Sequence, residues 1–229
     1  VPFRATVAKS PVRVVTEDYP PYEMATPMNG LRGFDYEVAV EVFKRMGVEL
    51  DIQFLPWKRA LREAELGDAL GILTCARTKE RSAFILYSEP LSRFTNGFFV
   101  RSGFSGPRPA SLSEAKGLRV ASVTAYESLQ ALIDAGLSPI EASTSETALK
   151  MLLAERFDYL YIGGEKTLFD LRQQGLEASL EFHPIVAKDF FFCFSKAYKG
   201  VGEYLTKFNK HLRDVKEDGS YDAIHDKYR

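Results

Sequence analysis

Arg77 and Arg81 stand where a buried strand would end. Residues 71–90 read GILTCARTKERSAFILYSEP. An apolar run passes through Thr74-Cys75-Ala76, turns charged at Arg77-Thr78-Lys79-Glu80-Arg81, and resumes at Phe84-Ile85-Leu86-Tyr87 before stopping at Ser88-Glu89-Pro90. A strand that delivers guanidinium groups at its C-terminal end suits an anion, because ligands of open α/β sheets bind beyond the carboxyl ends of the strands. Arginine stays charged and grips a carboxylate through parallel hydrogen bonds. Thr78 is placed to cap a short helix opened by Lys79-Glu80-Arg81. The alternative is that both arginines pair with surface acids.

The hydrophobic pattern supplies a scaffold for these residues. Val12 to Thr16 reads as a strand, ended by Tyr19-Pro20-Pro21-Tyr22 because proline lacks an amide and restrains its neighbour. Phe34, Val38, Val42, Phe43 and Met46 recur at helical spacing, which predicts a helix over 35–46 stopped by Gly47. A strand over 50–55, a helix over 58–66 ended by Gly67, and the strand from Gly71 follow. This alternation predicts a parallel sheet with right-handed crossovers. A further apolar strand over 96–101 leads into Ser102 to Pro109, the most loop-like stretch of the chain. The alternation then recurs: a short helix capped near Ser111, a strand over 118–122, a helix over 126–135, a short strand over 139–142, a helix over 145–155 capped at Thr144 or Ser145, a strand over 158–162 broken at Gly163-Gly164, and a helix over 165–174. A segment from Leu180 and a strand over 187–194 return toward the first half, and helices over 201–217 and 221–228 close the chain. Val1 to Ser10 is polar and mixed, and reads as a loose N-terminus.

Composition excludes some classes. The chain has 229 residues, 45% hydrophobic and 27% charged, which is ordinary for a globular protein. A net charge of -1 gives no electrostatic case for nucleic acid. No apolar run reaches the ~18–20 residues of a membrane span. Nothing at the start resembles a signal peptide, so the chain reads as cytoplasmic, or as a mature or trimmed form. Cys75 and Cys193 have no metal-type spacing; a disulfide between them is open but not readable from sequence, and the favoured reading is two free buried thiols. The histidines, His183, His211 and His225, show no HxH or HxxxH pairing, so no metal is expected. No cofactor motif is present: there is no Walker loop, no GxGxxG and no Ser-His-Asp set.

Several stretches in order carry a family resemblance. Thr78-Lys79-Glu80-Arg81 followed by Tyr87-Ser88-Glu89-Pro90 resembles the T-x-E-R…S-[DE]-P signature of extracellular solute-binding proteins of family 3, the periplasmic components of polar amino-acid ABC transporters. Val14 to Glu23, with its P-P-[FY]-E turn, Gly33-Phe34-Asp35-Tyr36-Glu37-Val38-Ala39, Trp57 ahead of Gly67-Asp68, and Gly219-Ser220-Tyr221 with Ile224 and Lys227-Tyr228 resemble further parts of it. The resemblance implies a two-lobed periplasmic-binding-protein-like α/β fold of type II. Each lobe would be a mixed, mostly parallel sheet flanked by helices. Lobe 1 would comprise 1–96 and 189–229, lobe 2 would comprise 97–188, and crossing strands near 95–97 and 187–189 would act as the hinge.

The resemblance also implies a site. Arg81 matches the arginine that holds the ligand's carboxylate, with Thr74 and Ala76 assisting from the strand end. Arg77 adds a second positive group or pairs with Glu80 or Asp18. Tyr19 and Trp57 match aromatic positions that sandwich the ligand; the alternative for both is core packing. Thr124 and Tyr126, entering a helix, are candidates to close on the same carboxylate through free amides. The departure is at Gly163, where amino-acid binders of the family usually carry the Asp that receives the ligand's ammonium. Glu165 or Glu17 substitutes, or the ligand is not an α-amino acid. The implied function is capture of a small carboxylate-bearing ligand for the membrane permease of an ABC importer, by a periplasmic monomer whose signal peptide has been removed. The same module can serve as the sensing domain of a membrane receptor, such as a histidine kinase or cyclase. An enzyme of the dehydratase type is the least favoured reading, with Glu17 and Glu165 its only candidate acids.

Overall fold

A computed structural model describes residues 10–228, so the reading of the N-terminal segment falls almost wholly outside the described residues. The first half runs β1 (Val12–Thr16), α1 (Phe34–Arg45), β2 (Leu50–Phe54), α2 (Trp57–Leu66), β3 (Gly71–Ala76) and a 3-10 turn at Arg81–Ala83. A long strand, β4 (Ile85–Arg101), leads to β5 (Val120–Val123), α3 (Glu127–Asp134), β6 (Ile140–Ala142), α4 (Ser145–Leu153), β7 (Tyr159–Gly163) and α5 (Gly164–Gln173). A second long strand, β8 (Leu180–Ser195), returns to α6 (Val201–Glu217) and α7 (Ser220–Asp226).

The strands form one sheet in the order β2-β1-β3-β8-β4-β7-β5-β6. Its two ends are parallel: β1 pairs with β2 and β3, and β5 with β6 and β7. Between them β4 and β8 pair antiparallel from Ile85↔Ser195 to Arg101↔Leu180. The sequence pattern breaks this ribbon into shorter strands at Pro90 and Pro184, but both prolines lie in it. The ladder shifts register around Pro90 and again between Asn96 and Gly97, which absorbs residues that donate no amide. The second shift falls on the crossing expected at 95–97.

Separate cores build the two lobes. On the first, Val38, Val42 and Phe43 of α1 pack with Leu70, Leu73, Phe192, Phe194 and Phe208. On the second, Phe99, Val123, Leu149, Leu152 and Ile162 pack together. Local capping is legible: Thr144 accepts the Thr147 amide at 3.1 Å at the start of α4, and Gly67 ends α2 at φ 79.

Cys75 and Cys193 form a disulfide, which corrects the expectation of free thiols. The antiparallel pairing of β3 with β8 brings them to a Cα separation of 6.0 Å although 118 positions separate them in sequence. No spacing rule reports such a pair, because the contact exists only once β8 has returned to the first lobe. Closing a loop of that length restricts the unfolded chain by roughly 4–5 kcal/mol in the chain-entropy model. The Cys75→Ala/Cys193→Ala variant is therefore expected to unfold at markedly lower urea. The wild type, denatured without reductant, is expected to show no free thiol by thiol titration.

Candidate functional site

A cavity lies where β1, β3, the β4/β8 ribbon, α3 and β7 meet. Glu17, Tyr19, Glu23, Trp57, Thr74, Ala76, Arg81, Phe94, Asn96, Tyr126, Glu127, Ser128, Gly163 and Phe190 line it, around about 430 Å³ of empty space. Tyr19 and Glu23 are held at its wall by a tight turn in which the Tyr19 amide donates to the Glu23 carbonyl at 3.0 Å and the Tyr22 amide to the Tyr19 carbonyl at 3.0 Å. Thr74 enters through an irregularity in β3, with φ 54, where register shifts between Ile72 and Cys75.

Arg81 is 5% exposed. Thr78 accepts its amide at 3.1 Å, as the capping reading expects, although the helix it starts is a single 3-10 turn. One guanidinium nitrogen donates to the Ala76 carbonyl at 2.8 Å and another to the Ala125 carbonyl at 2.9 Å. The guanidinium carbon stands 4.9 Å from the Trp57 ring centre, and Trp57 Nε1 donates to the same Ala125 carbonyl at 3.1 Å. Burial lowers the arginine from its ordinary value. With five N–H groups, Arg81 keeps donors beyond these two bonds.

The 123–126 turn does not offer the amides that the helix-start reading assigned to it. Thr124 donates both its amide and its hydroxyl to the Ala142 carbonyl, at 2.9 and 3.1 Å, and does not line the cavity. The Tyr126 amide donates to the Val123 carbonyl at 3.1 Å, so Tyr126 contributes its ring and hydroxyl. Ala125, at φ 66, presents a carbonyl instead. The helix start already carries an anion: Glu127 accepts from Asn96 Nδ2 at 2.8 Å and pairs with Lys188.

Arg77 is exposed and lies 4.6 Å over Tyr87 and 4.9 Å over Phe191, outside the cavity lining. Glu165 accepts the Thr95 amide at 2.9 Å and is likewise absent from the lining. At Gly163 an added Cβ would stand 2.9 Å from the Tyr19 hydroxyl, so the tyrosine fills the space an aspartate would need. Of the acids, Glu17 is partly buried, and burial pushes it up to about 7 despite a hydrogen bond from Tyr126 and the nearby Lys166 and Arg81. Burial drives Glu23 well above the carboxylate range, with Asp35 adding to the rise. Burial also raises Asp35 to about 7, though Ser92 and Thr74 bond it.

The sequence reading missed Phe94, Asn96, Glu127, Ser128 and Phe190. Asn96, a buried amide in an apolar strand at the expected crossing, is the signal that was there to read. Glu23 was visible only as part of the P-P-Y-E turn.

Two α/β lobes on a shared antiparallel ribbon, with a polar and aromatic cavity where they meet, define the two-lobed class of binding proteins. Residues 12–229 match the family described as bacterial extracellular solute-binding proteins, family 3, and the chain belongs to it. It is 27% identical to the probable amino-acid-binding protein YxeM of Bacillus subtilis (strain 168), over 90% of this chain and 80% of that protein. It is 22% identical to an arginine-binding periplasmic protein of Mannheimia haemolytica, over 97% and 92%. In fold it is similar to a histidine kinase sensor domain, with a TM-score of 0.84, 22% identity and 95% of each chain covered.

Two predictions follow from the cavity's geometry. A carboxyl whose folded value exceeds its unfolded one favours the fold most when protonated. That contribution is complete below the unfolded values, 4.5 for Glu17 and 3.8 for Asp35, and is lost as pH rises to about 7. The ligand-free protein is thus expected to melt at a lower temperature at pH 8 than at pH 5.5, and Glu17→Gln to flatten that slope. The acids held below their ordinary values, such as Glu63 and Asp218, titrate under this window. Second, Gly163→Ala is expected to weaken ligand binding at least tenfold by calorimetry, and Tyr19→Phe to restore part of the loss.

Proposed function

We propose that this protein captures a small polar ligand bearing a carboxylate, an amino acid or a related metabolite, and hands it to an ABC importer. The lobes are 1–96 with 189–229, and 97–188, and they close on the ligand through the strands near 95–97 and 187–189. The observation that carries this reading is Arg81, a buried guanidinium in the cavity wall with donors to spare. Trp57 backs its flat face and the Ala76 carbonyl fixes its tilt, so the remaining donors are preorganised for a planar acceptor. Tyr19, Trp57 and Tyr126 supply the aromatic walls. The family membership and the amino-acid-binding relatives support the reading, and the disulfide fits an oxidising, extracytoplasmic compartment. The protein is read as a monomer, and as a binder like the relatives named above.

The second reading is the ligand-sensing domain of a membrane receptor. It is favoured by the similarity in fold to a histidine kinase sensor domain over 95% of both chains. In cells, the importer reading expects uptake of the bound solute to require this protein. The receptor reading expects uptake to be unchanged and a transcriptional response to be lost.

The test of the shared claim is a thermal-shift screen of refolded protein against amino acids and small carboxylates. A ligand at a hundred times its dissociation constant stabilises by roughly 2.7 kcal/mol, or roughly 5–10 °C for a chain of this size. Arg81→Ala is expected to abolish the shift while the protein stays folded by circular dichroism. An unchanged shift in that variant would remove Arg81 from the ligand's carboxylate.

A further inference from the structure

Two buried carboxyls of the first lobe meet at one wall of the cavity. Glu23 is 1% exposed and Asp35 is fully buried. The Asp35 amide donates at 3.0 Å to the carbonyl of Tyr22, the residue before Glu23, so the start of α1 packs on the turn that carries Glu23. The Thr74 hydroxyl donates to Asp35 Oδ2 at 3.1 Å and also reaches the Glu23 carboxyl. One hydroxyl thus lies between two acids.

The supply of protons differs between the two. Ser92 also donates to Asp35 Oδ2, at 2.7 Å, and Asp35 sits in the first turn of α1, where the helix dipole favours an anion. Glu23 is worse served. Its Oε1 accepts the Thr16 hydroxyl at 3.1 Å, but that hydroxyl also stands 3.0 Å from the Leu73 carbonyl and has one proton to share. Glu23 Oε2 and Asp35 Oδ1 are both buried without a hydrogen-bond partner. The cation that acts on Asp35 is Lys216 on α6, and its ammonium donates to the Pro90 carbonyl at 2.6 Å. Buried carboxylates in such reach of each other repel, and a proton on one of them removes the repulsion and turns a lone acceptor into a donor. The charge belongs on Asp35, which has hydroxyls and a helix start, and the proton on Glu23.

We propose that Glu23 and Asp35 work as a pair that holds one proton, Glu23 as the carboxylic acid and Asp35 as the carboxylate, and that the pair fixes Thr74 in the cavity wall and so links solute capture to pH. Both are positioning residues that act through Thr74. The link to capture rests on the reading of this cleft as the solute site; the shared proton does not. The dependence has a sign. Thr74 is held at φ 54, in the left-handed region, where a β-branched residue is strained and needs anchoring. Ionising Glu23 as well puts a second charge beside Asp35 and loosens that anchor, and it adds an anion to a wall that faces the solute's carboxylate. Capture is therefore strongest with Glu23 protonated and falls as pH rises through its folded value, which burial and the Asp35 charge lift well above the ordinary range. The other titratable groups that face the pair are Glu17, Tyr19 and Tyr22 around the same turn, Lys216 on α6 and Tyr221 on α7.

The first measurement is infrared spectroscopy of the refolded protein from pH 6 to pH 10, read at the carbonyl stretch of a protonated carboxyl. At pH 8 the cavity's Glu17, and Asp35 behind it, lie above their values of about 7. The wild type is expected to keep a protonated-carboxyl band there that Glu23→Gln lacks, that Glu17→Gln retains, and that fades at lower pH in Asp35→Asn. The second measurement is calorimetric titration with L-arginine, L-glutamate and succinate over the same range. The probe that binds is expected to lose at least tenfold in affinity between pH 6 and pH 10 in the wild type, and Glu23→Gln to flatten that profile. No band at pH 8, a band unchanged in Glu23→Gln, or an unmoved midpoint in Asp35→Asn overturns the pair. The wild-type band and the Asp35→Asn midpoint decide this even if Glu23→Gln fails to fold. A wild-type affinity constant from pH 6 to pH 10, or a Glu23→Gln profile as steep as the wild type's, overturns the link to capture. No binding by any probe sinks the cleft reading and that link together, while the band still decides the pair.

Discussion

The pairing of β4 with β8 is the constraint on which the rest of the structure depends. These strands of 17 and 16 residues run through both lobes, and each lobe's parallel strands attach to one end of the pair. The ribbon is also part of the site, because Phe94, Asn96 and Phe190 lie on it and line the cavity. Its weak point is built from ordinary chemistry. Gly97 faces Pro184, which has no amide to donate, and a Cβ on Gly97 would collide with the His183 carbonyl. The ladder slips there, between Asn96 and Gly97, so a twist of one lobe against the other has a place to be absorbed. Glu127 ties that place to the second lobe, since its partners Asn96 and Lys188 sit on the two ribbon strands.

The contacts that hold the lobes together converge on one turn. Arg81 and Trp57 both donate to the Ala125 carbonyl, and Tyr126 bonds Glu17. A carbonyl rather than an amide faces the arginine because Ala125 adopts the left-handed conformation, which reverses the peptide relative to an ordinary helix entry. The guanidinium of Arg81 thus bridges the lobes, and on the proposed reading the same group faces the ligand, so opening the cleft would break these contacts together.

The alternation of strands and helices was legible because each element carries its own period, and α6 runs over the residues the pattern predicts. The long ribbon was not, since proline is a local stop signal and only tertiary pairing decides whether a ladder can skip it. Within the site, Arg81, Tyr19, Trp57, Thr74 and Ala76 were legible from the strand end and the motifs around it. Thr124, Arg77 and Glu165 fall outside the cavity for reasons that sequence does not carry: a hydroxyl turned to β6, a cation stacked on Tyr87, a carboxylate spent on the Thr95 amide. The disulfide belongs with these, because it depends on where β8 returns.

The exchange of an acid for Gly163 redistributes charge in the cleft. With Tyr19 filling that space, the acidic groups left in the lining are Glu17 and Glu23 on the first lobe and Glu127 on the second, and Lys188 neutralises the last. On the first lobe Arg81 stands with two carboxyls that burial pushes toward their protonated forms, while the other side brings a tyrosine, a serine and a carbonyl. Burial favours the protonated form of both first-lobe acids, so they enter the cleft wall closer to neutral carboxyls than to bare charges. The lobes meet over them through contacts already made at the Ala125 carbonyl by Arg81 and Trp57, so the positive group of the wall, Arg81, is the one whose charge stays uncompensated there.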